Sequence, residues 1–431
     1  MLNAATENVR WITAWGRQTP VVARSISPRR IARVGIIGAG QMGTAIAAAH
    51  VQHRMPVVIL DADPDAVRSA SDRIANELRR SECHLSRQRI DGLVRSTLDL
   101  AALSDCDLVL EAVAETVAAK LRVFGQLRPH VSRHAVVATN TSTIPLARLA
   151  AGVVDPSRLC GLHFCHPVRE RPLVEIVRGP DTSDATVAEA SAHLRRIDRI
   201  ALPTSDGPGF VVNRLLFPYL SEALAMVGQG VPIAWIERVA TEFGMAMGPL
   251  RMIDEIGLDT TLQAAWVLNA AFPERVVSSP LLVSMIKAGR LGRKAGAGFF
   301  FYPSGHPEDL PGLADPVVDK IMRPWIVERP CPDQRVTTLR LLLPMVLEAT
   351  RLLDEGRVRD ARDVDLAVLF GLGFPAEKGG LLWWADMLGV DEVLSSLMLI
   401  QASGASVQST PMIRRLAANG GRFYRFDSME R

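Results

Sequence analysis

From position 33 onward, short runs of consecutive apolar residues alternate with longer stretches of helical spacing. The apolar runs cover 34–37, 57–60, 108–110, 136–138, 159–164 and 173–177. Short, wholly apolar strands separated by helices predict a parallel sheet with both faces covered. The alanine-rich stretch 44–52 reads as a helix, and 64 to about 93 reads as one long, mostly polar helix. Past Gly209 the strand signal thins, and the pattern stays helical to Tyr302, closing on the glycine-rich segment 289–298. Residues 303–333, rich in proline and aspartate, predict a linker with one helix.

The remainder repeats an earlier segment. Arg214-Leu-Leu-Phe-Pro218 and Glu222-Ala223 recur in register as Arg340-Leu-Leu-Leu-Pro344 and Glu348-Ala349. Phe243-Gly244 recurs as Phe370-Gly371, and Asp254, Gly257 and Asp259 recur as Asp386, Gly389 and Asp391. A duplicated helical unit is expected, its two copies burying their apolar faces on each other within one chain. The copies differ at one polar position: Asn213 precedes Arg214, whereas Leu339 precedes Arg340. Whatever polar task Asn213 performs, the second copy lacks it.

Composition narrows the class. The 431 residues are 48% hydrophobic and 22% charged, which is globular, and 49 basic against 46 acidic side chains leave a net charge of +3. That balance gives no electrostatic reason to expect nucleic acid. No apolar run approaches the length needed to span a bilayer, and residues 1–28 lack the apolar core of a secretory signal. The cysteines (Cys83, Cys106, Cys160, Cys165, Cys331) form no CxxC pair, so reduced thiols and a cytoplasmic location are expected, with no metal site.

The chemistry begins at Gly38-Ala-Gly40-Gln41-Met42-Gly43, a GxGxxG run after one apolar strand and before a helix of small residues. Asp61 ends the next strand, 18 residues past Gly43. In this context the glycines allow a tight turn, close approach of backbone to a pyrophosphate, and close helix–strand packing. Asp61 would accept hydrogen bonds from the adenosine ribose and repel a 2′-phosphate, so NAD is expected rather than NADP. Asp63, before Pro64, reads as a helix cap. A second group of interest is His163, which ends a strand-like run, with Glu175 twelve residues on at the next run. A carboxylate bonded to one ring nitrogen fixes the tautomer and makes the other nitrogen a better base. From spacing alone, an ordinary core histidine is the competing reading.

With these residues in view the chain resembles the L-3-hydroxyacyl-CoA dehydrogenases over about 33–302, through the glycine run, Asp107-Leu-Val-Leu-Glu111-Ala-Val-Ala-Glu115, Thr139-Asn-Thr-Ser142, Gly161-Leu-His163-Phe, Pro172-Leu-Val-Glu175, Gly209-Phe-Val-Val-Asn213-Arg and Gly289–Phe299. Its tail, with Gly371-Leu-Gly-Phe-Pro375, resembles the last domain of multifunctional fatty-acid oxidation proteins, whose hydratase domain has no counterpart in this sequence. The resemblance implies a Rossmann-type doubly wound α/β sheet followed by two related all-helical domains. The expected boundaries are an extension or linker at 1–30, a nucleotide domain at 31–208, helical domains at 209–302 and 334–431, and a linker at 303–333.

The resemblance also implies roles. His163 would be the general base, Glu175 its orienting carboxylate, and Ser142 and Asn213 would hold the substrate oxygens. Glu115 and Lys120 would sit beside the nicotinamide end of the cofactor, and Gly38, Gly40, Gln41, Met42, Gly43 and Asp61 at the dinucleotide. The implied reaction is NAD-dependent oxidation of a (S)-3-hydroxyacyl-CoA in fatty-acid β-oxidation. A carrier-protein thioester, a free hydroxy acid, or a non-catalytic NAD-binding scaffold are the competing readings. A separate enoyl-CoA hydratase or thiolase would be a partner, and the paired helical copies suggest a monomer or weak oligomer. One departure stands out: the family usually has asparagine or serine three residues after the histidine, and here it is His166. On the stretch 64–93, Arg73, Arg79, Arg80, Arg87 and Arg89 are either phosphate contacts or a solvated face.

Overall fold

The computed structural model describes residues 2–19, 21–22, 26–275, 279–307 and 310–424. It divides into two compact units, one chiefly Arg10–Phe210 and the other chiefly Val211–Leu369 with the residues from Gly373 onward. The chain opens on α1 (Leu2–Gln18), within the stretch 1–30 expected to be an extension or linker. Ala5, Asn8, Ile12 and Gly16 are buried at helical spacing, and the Asn8 side-chain amide donates to the Gly379 carbonyl at 2.7 Å. That single buried stripe makes the segment a helix.

The strands of the first unit are β1 (Val34–Ile37), β2 (Val57–Leu60), β3 (Val94–Thr97), β4 (Leu108–Glu111), β5 (Val136–Thr139), β6 (Leu159–Phe164), β7 (Leu173–Arg178) and β8 (Ile200–Ser205). They form one sheet in the order β3-β2-β1-β4-β5-β6-β7-β8. Every residue of β1, β2 and β4 is buried, which is why these strands read as apolar without alternation. The edge strands β3 and β8 fall outside the predicted runs. β3 reads Val-Arg-Ser-Thr and is mostly half-buried, while β8 carries Pro203, tolerated where a strand has one unpaired side. The helices are α2 (Gln41–Gln52), α3 (Pro64–Arg80), α4 (Arg87–Leu93), α5 (Val117–Leu127) and α6 (Asp184–Arg196). The single helix expected over 64–93 breaks near Glu82, whose φ is 55°, into α3 and α4.

One pairing departs from the parallel rule: β7 runs antiparallel to β6. Only residues 165–172 join them. A link that short cannot house the crossover a parallel neighbour requires, so the chain must turn back. Between β7 and β8 there is room for α6, and that pair is parallel again.

Beneath the sheet, His50 of α2 meets His193 of α6, with Nε2 atoms 2.9 Å apart and both residues buried. His50 Nδ1 lies 2.7 Å from the Ile46 carbonyl and must carry its proton, so His50 Nε2 accepts from His193 Nε2. Burial pushes His50 down to about 4 and His193 well below its ordinary value, with Arg199, His53 and Arg196 adding to the effect. The unfolded chain binds protons on both residues below about pH 6.5 and the folded chain does not. Stability is therefore fully present above that pH and falls as pH drops. We expect a loss of up to about 1.4 kcal/mol per pH unit for each histidine between pH 6.5 and 5. Urea unfolding across that range measures it, and a His50→Met/His193→Met variant should show the shallower slope.

The second unit is helical: α7 (Val212–Gly228), α8 (Ile233–Phe243), α9 (Pro249–Ile256), α10 (Leu258–Ala271), α11 (Pro280–Lys287), α12 (Pro316–Met322), α13 (Gln334–Asp354), α14 (Ala361–Leu366), α15 (Leu381–Leu388), α16 (Val390–Ala402) and α17 (Pro411–Ala418). The repeat is carried into the packing. α7 lies against its counterpart α13, and the duplicated charges pair crosswise. Arg214 Nε donates to Glu348 at 2.7 Å, and Arg340 Nε donates to Glu222 at 2.6 Å. Asp254 and Asp386 play matching parts. The first accepts the amides of Phe299 and Phe300 at 2.8 and 2.9 Å, and the second those of Phe423 and Tyr424 at the same distances. Glu237 on α8 and Asp365 on α14 each accept amides at the start of the following repeat helix, at Leu250 and at Leu382. Burial pushes both carboxyls up to about 7.

Candidate active site

The antiparallel turn has a chemical consequence. It sets His163 of β6 directly opposite Glu175 of β7, so the two side chains share one face of the sheet. His163 Nδ1 lies 2.6 Å from Glu175 Oε2, with Glu175 fully buried and His163 nearly so. A carboxylate accepts, so Nδ1 carries the ring proton and Nε2 keeps a lone pair. The Phe210 ring packs against the imidazole, centroids 5.9 Å apart. The pair is thus held from one side by a strand partner and from another by an aromatic wall.

Beside it, the loop after β5 is tied to the same strand, because Asn140 Oδ1 accepts the Phe164 amide at 2.8 Å. Two residues on comes Ser142, half-buried. Glu115 anchors this loop: its Oε1 accepts from the Thr141 hydroxyl at 2.6 Å, the Ser142 amide at 2.8 Å and the Thr143 amide at 3.2 Å. Burial alone would raise the Glu115 carboxyl, but Lys120, the Thr141 hydroxyl and the Ser142 amide outweigh it and hold it below its ordinary value. Lys120 is itself buried rather than solvated. Its ammonium lies 2.8 and 3.0 Å from the two Glu111 oxygens and 3.2 Å from Glu115 Oε2. These three contacts match the three protons an ammonium carries.

Comparison with known proteins supplies the family. The description "3-hydroxyacyl-CoA dehydrogenase, NAD binding domain" matches residues 33–207, and "3-hydroxyacyl-CoA dehydrogenase, C-terminal domain" matches twice, over 209–302 and 337–423. A fatty acid oxidation complex subunit alpha of Pseudomonas syringae pv. tomato is 31% identical over 404 residues, which cover 92% of this chain and 56% of that protein. The chain belongs to the 3-hydroxyacyl-CoA dehydrogenase family. It spans only a little over half the length of that relative. Among solved structures, M. tuberculosis FadB2 is 38% identical, covering 64% of this chain and 100% of its own at a TM-score of 0.61. A 3-hydroxybutyryl-CoA dehydrogenase of Escherichia coli K12 shares the fold, with a TM-score of 0.77, 24% identity, and coverage of 90% of this chain and 99% of its own.

The cofactor of this dehydrogenase family member is NAD, and the glycine loop fits it. Gly38 adopts φ 104°, a region closed to most side chains, and a Cβ on Gly43 would fall 1.7 Å from the Gly38 carbonyl oxygen. Both glycines are therefore structural. A Cβ on Gly40 would meet nothing within 4 Å. Gly40 faces open space at the N-terminus of α2, where unpaired amides can receive phosphate. Asp61 closes the loop from below, accepting the Ala39 amide at 2.7 Å and the Asp63 amide at 3.0 Å. Asp63 caps α3 as its sequence context suggests. Gly40→Ala should cost the fold no more than about 1 kcal/mol and weaken NADH at least about tenfold. A fluorescence titration beside thermal unfolding checks it, and unchanged NADH affinity would refute the assignment.

The remaining predicted positions are distributed more widely. Gln41 is exposed and Met42 half-buried in the first turn of α2. Asn213 belongs to the helical unit, half-buried in the first turn of α7, and its counterpart Leu339 is buried in α13. His166 is exposed just past β6. The arginines of α3 and α4 are largely engaged locally: Arg87 with Asp72 and Asp91, Arg79 with Asn76, Arg80 with Glu77, and Arg73 with the Ala66 carbonyl. Such pairing fits a solvated face better than a phosphate clamp. Among the described residues no group of three or more histidines, cysteines or carboxylates could hold a metal, and no helix is long and apolar enough to cross a membrane. Sequence reasoning assigned no part to Glu111, Asn140 or Phe210. For Glu111 there was a signal, a charged residue closing the otherwise apolar run Leu-Val-Leu.

Proposed function

We propose that this protein oxidises (S)-3-hydroxyacyl-CoA thioesters to 3-oxoacyl-CoA, the dehydrogenation of fatty-acid β-oxidation. The observation that carries the reading is the buried His163–Glu175 pair at 2.6 Å, which leaves Nε2 as the free acceptor. In that reading Nε2 takes the hydroxyl proton while Glu175 stabilises the imidazolium that results. Bound NAD supplies the acceptor for the hydride released from C3. Ser142, placed by its loop's bonds to Glu115, holds the substrate oxygen and steadies the charge that develops there. Asn213 shares this task on the strength of its motif. Gly38, Gly40, Gln41, Met42, Gly43 and Asp61 receive the dinucleotide, with Glu115 and Lys120 at its nicotinamide end. A hydratase or thiolase acting before or after this step would be a separate partner or a further part of a longer protein.

The deciding experiment follows NADH absorbance on adding acetoacetyl-CoA. Rapid oxidation, inhibited by free CoA, is expected. A folded protein that binds NADH and stays silent would overturn the acyl-CoA reading and turn attention to a carrier-bound or free hydroxy acid.

A further inference from the structure

Glu111 is fully buried at the end of β4, between β1 and β5, in register with Ile37 and Thr139. Each of its oxygens has two donors. Oε1 accepts the Val113 amide at 2.7 Å and Lys120 at 2.8 Å; Oε2 accepts the Thr139 hydroxyl at 2.6 Å and Lys120 at 3.0 Å. A buried ion pair gains little over apolar packing, because desolvation of both charges offsets their attraction. Its presence here is better explained by what it orients. The Lys120 ammonium that Glu111 holds extends to Glu115 Oε2, and Glu115 Oε1 gathers the Thr141 hydroxyl and the Ser142 and Thr143 amides.

We propose that Glu111 is a positioning residue: through Lys120 it fixes Glu115, and Glu115 fixes the loop that presents Ser142. The proposal rests on the role given to Ser142 above. Glu111 sits on a strand paired on both sides, and a side chain anchored there passes its position to the loop after β5.

Lys120→Met and Glu111→Gln test it. With acetoacetyl-CoA and NADH both saturating, kcat should fall at least about tenfold in each, while in Glu111→Gln, which alters no group assigned to the cofactor, the NADH dissociation constant read by fluorescence stays within about twofold. In Lys120→Met the Glu115 carboxylate loses its cation, so it protonates at a higher pH and releases the loop. The ratio of variant to wild-type kcat should therefore fall as pH falls; a merely structural defect would leave that ratio flat. Deuterium exchange in a peptide covering 141–143 should quicken in both variants, a readout that needs no turnover. In Glu111→Gln, NADH affinity falling in step with kcat would make cofactor binding, not the loop, what Glu111 supports, and would overturn the proposal. So would unchanged exchange and unchanged kcat in folded variants. If the wild type itself leaves acetoacetyl-CoA untouched, the proposed function fails, and exchange alone decides whether the clamp holds the loop.

Discussion

His163→Ala is expected to lower kcat with acetoacetyl-CoA about a thousandfold or more while leaving NADH affinity within about twofold. The imidazole belongs to β6 and is bonded to Glu175, whereas the dinucleotide loop belongs to β1 and α2, so removal of the ring leaves the glycine turn and Asp61 intact. Glu175→Gln should be nearly as damaging for a different reason. An amide can present its NH2 to Nδ1, which moves the ring proton to Nε2 and removes the lone pair that must accept the substrate proton. Stopped-flow turnover beside NADH fluorescence separates the two quantities. Loss of cofactor binding together with turnover, in a folded variant, would refute the role given to His163.

Arg340→Met should produce the largest loss of stability of any substitution considered, about 3–5 kcal/mol. Arg340 is fully buried in α13, with Glu222 at 2.6 Å, Gln229 at 2.8 Å and the Ser403 carbonyl at 3.0 Å. Without it the Glu222 carboxylate is left buried with no other cation paired with it among the described residues. Burial already raises that carboxyl even with Arg340 beside it, and the variant would raise it further. A carboxyl raised in the folded state binds protons that the unfolded chain has released, so the variant should lose more stability at pH 8 than at pH 5.5. Arg214→Met, at the equivalent place in the other copy, should cost less, because Arg275 and Arg351 still lie 3.4 and 3.0 Å from Glu348. Adding Glu222→Met to Arg340→Met should restore much of the loss. Chemical unfolding at two pH values measures all three variants, and equal losses at the two arginines would contradict the asymmetry.

How much of this was legible depended on whether a signal is local. The sheet's central strands announce themselves because burial on both faces demands unbroken apolar runs, and the glycine turn because its residues answer to backbone geometry at fixed offsets. The edge strands β3 and β8 were invisible for the opposite reason: one open side permits arginine, serine and proline. The helix α1 went unrecognised within the extension or linker expected at 1–30, because its buried stripe is thin and partly polar, made of Ala5, Asn8, Ile12 and Gly16. The resemblance set Lys120 beside the nicotinamide end of the cofactor, but nothing marked it as buried, since a single charged residue on a helix carries no mark of its own depth.

By itself, the sequence determined the α/β class, the dinucleotide turn and the repeated helices, which depend on periodicity or on motifs within a few neighbouring residues; the candidate catalytic residues came with the family resemblance. Tertiary structure decided which of those residues meet. Arg214 and Glu222 lie eight residues apart on one helix, about 12 Å along its axis, too far to pair with each other. Only the packing of α7 on α13 brings each arginine to the other copy's glutamate. The short link after β6 likewise reverses one strand in an otherwise parallel sheet, and that reversal, rather than the spacing of twelve residues, sets Glu175 against His163. Periodicity is a property of neighbours along the chain, whereas charge pairing depends on distances that only the folded backbone sets.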